Sequence, residues 1–194
     1  MSFMPSIIYK KDDKEDVSDL LTKMLDDRVI MLMTPVNNIS MTSVISQLLY
    51  LNVKDPSSPI QLYISSTGGS VLDGYGIIDT MNLITSPVTT VCMGLAASMG
   101  SLILSAGVKG KRFVFPGGKV MIHQPSVEFL YGQATDLEIQ AKQIVKTKEL
   151  TASILAKNCG QKKDKVLKDM DRDYWMDAQE SIQYGIVDDI YKIV

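Results

Sequence analysis

One histidine, two cysteines and one tryptophan occur in the 194 residues. His123 is therefore the only imidazole available for proton transfer, and a zinc site built on several histidines is excluded. The cysteines stand far apart, Cys92 in an apolar run and Cys159 near the end of a helix-forming stretch. They make neither a disulfide framework nor a ligand cluster, and they fit a reducing compartment: the cytoplasm, or the stroma or matrix of an organelle. No apolar run reaches the ~20 residues of a membrane span, and Met1-Ser2-Phe3-Met4-Pro5 leads into charge, not a signal-peptide core. Charge is nearly balanced, with 20 Lys and Arg against 22 Asp and Glu. Nothing in that balance points to nucleic acid or an anionic membrane as partner. Neither a Gly-Lys-Ser/Thr phosphate loop nor a G-x-G-x-x-G fingerprint is present.

What is there reads as one α/β domain, since 45% apolar and 22% charged residues are ordinary for a globular chain of this length. The charge run Lys10 to Asp16 reads as a solvated, mobile segment. Leu20, Leu21, Met24 and Leu25 recur at helical spacing, and Val29 to Met33 is a buried strand. Ser40 is the expected N-cap of a helix carrying Val44, Ile45, Leu48 and Leu49. The strand Ile60 to Ile64 ends in Ser65-Ser66-Thr67-Gly68-Gly69-Ser70, whose paired glycines permit positive φ and close backbone approach. A helix from Val71 to Ile84 follows, then the strand Val88 to Met93, a small-residue turn over Gly94 to Ser98, and a short apolar helix stopped at Gly107. Strand, glycine turn and helix thus occur twice in succession, which predicts stacked α/β units with their loops on one side.

Lys111 to Phe115 and Val120 to Gln124 read as short strands around Pro116-Gly117-Gly118, the second ended by Pro125. From Gln133 to Asn158 no glycine or proline interrupts a helix-forming stretch. At ~1.5 Å per residue it spans nearly 40 Å, more than a domain of this size needs. Leu137, Ala141, Ile144, Lys148, Thr151 and Leu155 share one face, so the helix is either a long surface helix or a subunit interface. Asp164 to Asp171 and Ala178 to Gly185 read as shorter helices, and Ile186 to Val194 as a terminal strand.

The chemistry centres on Gly94-Leu95-Ala96-Ala97-Ser98-Met99-Gly100-Ser101. A serine at a helix mouth is a candidate nucleophile, because free N–H groups there face whatever the hydroxyl attacks. Ser98 fits that role, with the Met99 N–H as oxyanion donor; the competing reading is a serine that merely caps the helix. A serine hydroxyl needs a base to take its proton, and histidine titrates in the right range. His123 is the only choice, although a histidine in an apolar strand also reads as a satisfied core residue. A carboxylate would orient the imidazole. Asp169, Asp171 and Asp173 all remain open, and Asp173, beside Tyr174-Trp175-Met176, is either exposed by alternation or buried with a partner.

The motifs Gly94–Gly107, Met121–Pro125 and Asp169–Asp173, with Asp27-Arg28-Val29-Ile30, Gly107-Val108-Lys109-Gly110-Lys111-Arg112-Phe113, Gly132-Gln133-Ala134-Thr135 and Tyr184-Gly185-Ile186-Val187-Asp188, resemble the proteolytic subunit of the Clp protease, the ClpP family. The resemblance runs along nearly the whole chain. It implies Ser98 as nucleophile, His123 as general base, Asp173 as the orienting acid, and Gly69 and Met99 as oxyanion-hole donors. The order Ser, His, Asp disfavours the chymotrypsin, subtilisin and α/β-hydrolase folds. The implied fold is a ClpP/crotonase-like spiral of ββα units, with residues 1–18 as an axial segment and residues 133–158 as a handle helix interlocking two stacked seven-membered rings. Asp171 and Arg172 correspond to a ring-contact ion pair, and Tyr63, Leu83, Phe113 and Tyr191 to the face on which an AAA+ unfoldase docks. Gly69-Ser70-Val71 and Pro125-Ser126 would hold unfolded polypeptide as an added strand. No metal or cofactor is implied, ATP being used by the unfoldase.

The family's usual Asn-Ser-Pro-Gly-Gly is replaced by Ser65-Ser66-Thr67-Gly68-Gly69, which loses a turn-stiffening proline. Its Leu-Gly-Gly after His-Gln-Pro is replaced by the longer Ser126-Val127-Glu128-Phe129-Leu130-Tyr131. A divergent paralogue working in a mixed ring is the companion reading. Two other functions compete with an ATP-dependent serine endopeptidase: a catalytically weak structural subunit of the same barrel, and a crotonase-type acyl-CoA enzyme.

Overall fold

The computed structural model describes residues 5–11, 14–126 and 131–192. It is a mixed α/β fold built on a largely parallel sheet of seven strands. Strands β3 (Val29–Leu32), β4 (Ile60–Ser66), β5 (Val88–Ala97), β6 (Arg112–Val114) and β9 (Asp189–Ile190) lie side by side in that order, each parallel to its neighbour. Helices α2 (Asn38–Lys54), α3 (Val71–Leu83) and α4 (Met99–Ser105) form the connections and bury apolar faces on the sheet. Such crossovers carry the chain back between parallel strands and bring strand C-termini to one side.

β5 does more than the sequence predicts. The expected turn at Gly94 is a bend instead, and the strand runs on to Ala97. Gly94 adopts φ +80°, and opposite it the β4 register slips, so that Ile64 faces Cys92 but Ser66 faces Ala96. A bulge of this kind bends a strand without ending it. The first half of β5 therefore pairs with β6 and its second half with β7 (Lys119–Ile122). β8 (Tyr174–Met176) then adds antiparallel to β7, with Ile122 opposite Tyr174.

Other differences are local. Helix α2 begins before the predicted Ser40: Asn37 is the N-cap, its Oδ1 accepting from the Ile39 and Ser40 N–H groups at 2.9 and 3.0 Å. Ser40 closes the capping box from position N3, its Oγ accepting from Asn37 N–H at 2.9 Å. The segment expected to be mobile contributes both arms of an antiparallel ladder, β1 (Ser6–Lys11) with β2 (Lys14–Asp19); Asp12 and Asp13 lie outside the described residues. Ile7, Ile8, Tyr9 and Val17 carry strand propensity that the neighbouring charges mask in the sequence. α1 (Leu20–Asp26) follows directly. The terminal strand expected to reach Val194 is the two-residue β9; Ile193 and Val194 lie outside the described residues.

Helix α5 (Ala134–Cys159) has the expected length, starting at the N-cap Gln133 and ending at Gly160 in the left-handed conformation. Its buried residues, Thr151, Ala152, Leu155, Ala156 and Cys159, all fall in the last third, so the preceding turns project from the body. Ile139, Val145 and Leu150 are exposed on it. α6 (Lys163–Asp169) packs against α5, and α7 (Ala178–Tyr184) leads to β9. Among the described residues no helix is long and apolar enough to cross a membrane.

Two arginines lock this frame. Arg112 is 1% exposed; its Nε and a terminal nitrogen reach the two oxygens of Asp188 at 2.9 and 2.6 Å, and its other terminal nitrogen donates to the Asn158 carbonyl near the end of α5. Burial raises the Asp188 carboxyl, but hydrogen bonds and charge from Arg112 outweigh it and hold the group at about 2. Arg28 donates to the carbonyls of Leu51, Asp55, Ser58 and Pro59, binding the end of α2 to the approach to β4. Both arginines belong to motifs quoted above for the family resemblance, and their contacts supply a structural role for those motifs.

Candidate active site

The bend in β5 delivers Ser98 to the end of the strand, immediately before α4. Ser98 has φ +54° and ψ −120°, a conformation that costs an L-residue of order 1–3 kcal/mol and persists only where its surroundings enforce it. Here its N–H donates to the Met121 carbonyl at 2.9 Å. Its own carbonyl accepts from Ser101 Oγ at 2.6 Å and from the Ser101 and Leu102 N–H groups. The residue occupies the N-cap position yet makes no side-chain cap bond. Its hydroxyl instead meets His123 Nε2 at 2.8 Å, so the helix-capping alternative fails.

His123 sits one residue past β7, outside the strand that the sequence predicted to continue to Gln124. It is not a core residue; its side chain is 25% exposed. Parallel pairing of β5 with β7 carries Ser98 and His123 out at the same side of the sheet. Antiparallel pairing of β7 with β8 does the same for the acid: one step beyond the Ile122–Tyr174 pair, His123 and Asp173 emerge together. Asp173 Oδ1 lies 3.1 Å from His123 Nδ1. An ionised carboxylate can only accept, so Nδ1 carries the proton and Nε2 is left to accept from the serine hydroxyl. Of the two environments open to Asp173, the structure selects the exposed one, with 59% of the side chain in solvent. Asp169 is occupied elsewhere, with Lys165 at 2.6 Å and the Tyr184 hydroxyl at 3.1 Å.

The glycine loop after β4 faces this group. A Cβ on Gly68 would come within 2.6 Å of Ser98 Cβ and 2.7 Å of the Ala97 carbonyl oxygen, so only glycine permits the approach. Val36 fixes the loop by accepting from Ser70 N–H and donating to the Gly68 carbonyl, both at 2.8 Å. This isolated parallel bridge leaves the Gly69 N–H unused among the described residues. Met99 N–H, at the first position of α4, has no intrahelical acceptor either. Ser70 and Val71 open α3, while Pro125 and Ser126 leave His123 on the other side. Val71 and Pro125 both line a small cavity beside Ser98 and His123. Of the longer replacement Ser126–Tyr131, residues 127–130 lie outside the described residues.

Asp171 and Arg172 stand next to the acid. In the single chain they pair with each other at 3.5 Å, both exposed, and Lys148 of α5 approaches Asp171 at 3.8 Å. Gln124, which the sequence reading passed over, links them to the base: its side-chain amide donates to the Asp171 carbonyl at 2.8 Å and its N–H to the Met170 carbonyl at 2.6 Å. Ser66 was also passed over; its Oγ joins Thr34 to the glycine loop. No sequence signal marks Val36, whereas Ser66 and Gln124 lie inside motifs already singled out.

Away from this group, Tyr63, Phe113 and Tyr191 form one aromatic cluster. The Tyr63 and Tyr191 hydroxyls are 2.8 Å apart, Phe113 meets Tyr191 edge-on, and Phe115 stacks on it. Burial, helped by the bond to Tyr191, pushes the Tyr63 hydroxyl up to about 12. Leu83 is exposed at the end of α3.

A family model described as Clp protease matches residues 12–194.

Proposed function

The chain belongs to the Clp protease family, and from that premise we propose that it is a serine endopeptidase whose nucleophile is Ser98, general base His123 and orienting acid Asp173. The observation that carries this reading is the continuous contact from Ser98 Oγ to His123 Nε2 at 2.8 Å and from His123 Nδ1 to Asp173 at 3.1 Å. As Ser98 Oγ bonds to the scissile carbonyl carbon, its proton passes to Nε2. The oxyanion accepts from Gly69 and Met99 N–H groups. Nε2 then gives the proton to the departing amine, the C–N bond breaks, and water repeats the sequence on the acyl-enzyme. Gly69-Ser70-Val71 and Pro125-Ser126 hold the polypeptide as an added strand, contacting its backbone and tolerating most sequences.

The same reading treats the chain as one peptidase domain that works in two stacked heptameric rings, alone or mixed with a second subunit of the family. The projecting two-thirds of α5 support it, since a helix with so little buried surface of its own calls for a partner. An AAA+ unfoldase would dock at Tyr63, Leu83, Phe113 and Tyr191 and spend the ATP, in the cytoplasm or an organelle stroma or matrix; the peptidase itself needs no cofactor. The assembled Ser98–His123 contact favours catalysis over a purely structural role. Covalent labelling decides: a fluorophosphonate should add to Ser98 in the purified assembly, as read by peptide mass. An assembled protein that stays unlabelled would overturn the catalytic reading.

A further inference from the structure

The glycine loop is tied to the segment before α2 by main-chain bonds from Val36 and by one side chain. Ser66, the last residue of β4, donates from Oγ to the Thr34 carbonyl at 2.7 Å. The same oxygen accepts from the Gly68 N–H at 3.2 Å, so it braces the loop across its own turn as well. Ser66 is 3% exposed and Gly68 is buried, so both bonds are made away from solvent. Removing the hydroxyl would leave a carbonyl and an N–H there without a partner.

On its other side Ser66 meets α4. A Cβ on Gly100 would lie 3.0 Å from the Ser66 carbonyl oxygen and 3.4 Å from Ser66 Cβ, so the first turn of the helix is seated on this residue. Gly100 follows Met99, and Gly68 precedes Gly69. Ser66 thus touches both segments that carry the proposed oxyanion donors. The loop itself comes down on the second donor, since a Cβ on Gly68 would fall 2.8 Å from Met99 N.

Little else holds the loop. Gly68 and Gly69 take φ +89° and +144°, conformations that glycine enters and leaves without a steric barrier. Thr67 is exposed and stands where the family's usual pattern has a proline to fix φ.

We propose that Ser66 is a positioning residue for the oxyanion hole: its hydroxyl holds the Gly69 N–H in register with the Met99 N–H, in a loop without the stiffening proline. The proposal rests on the peptidase reading and adds a residue to it. The hydroxyl bonds to none of Ser98, His123 and Asp173. Ser70 and Val71 keep their own anchors, the Val36 carbonyl and α3, so the peptide strand still binds when Oγ is removed. The loss is felt only as negative charge develops on the substrate oxygen.

The test is steady-state peptide hydrolysis by the purified assembly. Ser66→Ala should lower kcat ~10–100-fold and leave KM within ~2-fold of the parent, because donors displaced by a fraction of an ångström fail mainly in the transition state. The pH of half-maximal kcat/KM should not move, since His123 and Asp173 keep their contact. Thr67→Pro should raise kcat ~10-fold more in the Ser66→Ala background than in the parent, as expected of two restraints on one loop. Ser66→Cys, which leaves a weaker donor in the same place, should be intermediate, and it replaces the alanine variant if that one does not assemble. An assembled Ser66→Ala with kcat within ~2-fold of the parent would overturn the proposal, as would a loss carried by KM. A proline effect equal in both backgrounds would overturn it too. Where only the cysteine variant assembles, unchanged turnover does the same. A parent that neither hydrolyses peptide nor takes a fluorophosphonate would overturn the peptidase reading and this proposal with it; a labelled parent with insensitive Ser66 variants would overturn the proposal alone.

Discussion

Ser98 combines a backbone conformation held against its preference with a side chain that serves no structural end. Its φ of +54° is imposed by Met121, Ser101 and Leu102 through hydrogen bonds to its main-chain groups, and Oγ meets His123. Removing Oγ therefore leaves the supports in place. Ser98→Ala should preserve the assembly and lower peptide hydrolysis by ~10⁴ or more. His123→Ala should be as severe, and the double variant little worse than either, because groups acting as one unit are not additive. Rates that multiply independently across the two variants would rule out a coupled pair. At Asp188 the same residue-level argument concerns stability. Its carboxyl sits at about 2 in the fold against the usual ~3.9 unfolded, a depressed value. The stabilisation is thus complete above pH ~4 and fades as pH falls toward 2, and its pH-dependent part is worth about 2 kcal/mol. Urea unfolding at pH 7, 5 and 3 should show Asp188→Asn much less stable than the parent at neutral pH, with the gap narrowing at pH 3. A gap independent of pH would contradict the linkage.

Elements in this fold begin and end where side chains satisfy their terminal backbone groups. α2 shows it most clearly, since Asn37 accepts from two N–H groups at once and Ser40 returns a bond to Asn37. Asn37→Ala should cost about 1 kcal/mol, and Asn37→Asp should restore most of it. A shift of the urea midpoint in the first variant and its recovery in the second is the measurement; no shift would mean that solvent replaces the cap. β5 is the other instructive element. Its bend at Gly94 lets a single strand serve two neighbours, β6 and β7, and only the second of these carries the base. The site therefore stands on strand ends of a rigid sheet, with loops needed only for the glycine segment and Pro125-Ser126.

For the whole molecule the question is how assembly touches chemistry. Asp171 and Arg172 precede the acid directly, and Gln124, which follows the base, is tied to the Asp171 carbonyl. In the single chain the Asp171–Arg172 pair is exposed, and such pairs contribute ~0–1 kcal/mol. A contact between rings would desolvate it, and breaking it there would strand a charge at a cost of ~3–5 kcal/mol. Arg172→Ala should consequently loosen ring stacking and lower hydrolysis together, mainly in turnover, although Arg172 touches none of Ser98, His123 or the glycine loop. Sedimentation and peptide hydrolysis on one preparation test this. Rings that separate with full activity, or that stay paired with activity unchanged, would show that the link is absent.

The α/β class, the order of strands and helices from α1 onward except β8, and the excess length of α5 were legible in the sequence, because periodicity, caps and glycine stops are local properties. The lone histidine made its pairing with a serine a question with one answer. Choosing among Asp169, Asp171 and Asp173 was beyond local reading, since all three lie within five residues and differ only in where β8 registers on β7. The exposure of Asp173, the continuation of β5 past Gly94 and the Arg112–Asp188 lock across the sheet were likewise decided in three dimensions. Each depends on contacts between segments distant in sequence, and the energy of such a contact is set by packing distance and burial, which no spacing along the chain encodes.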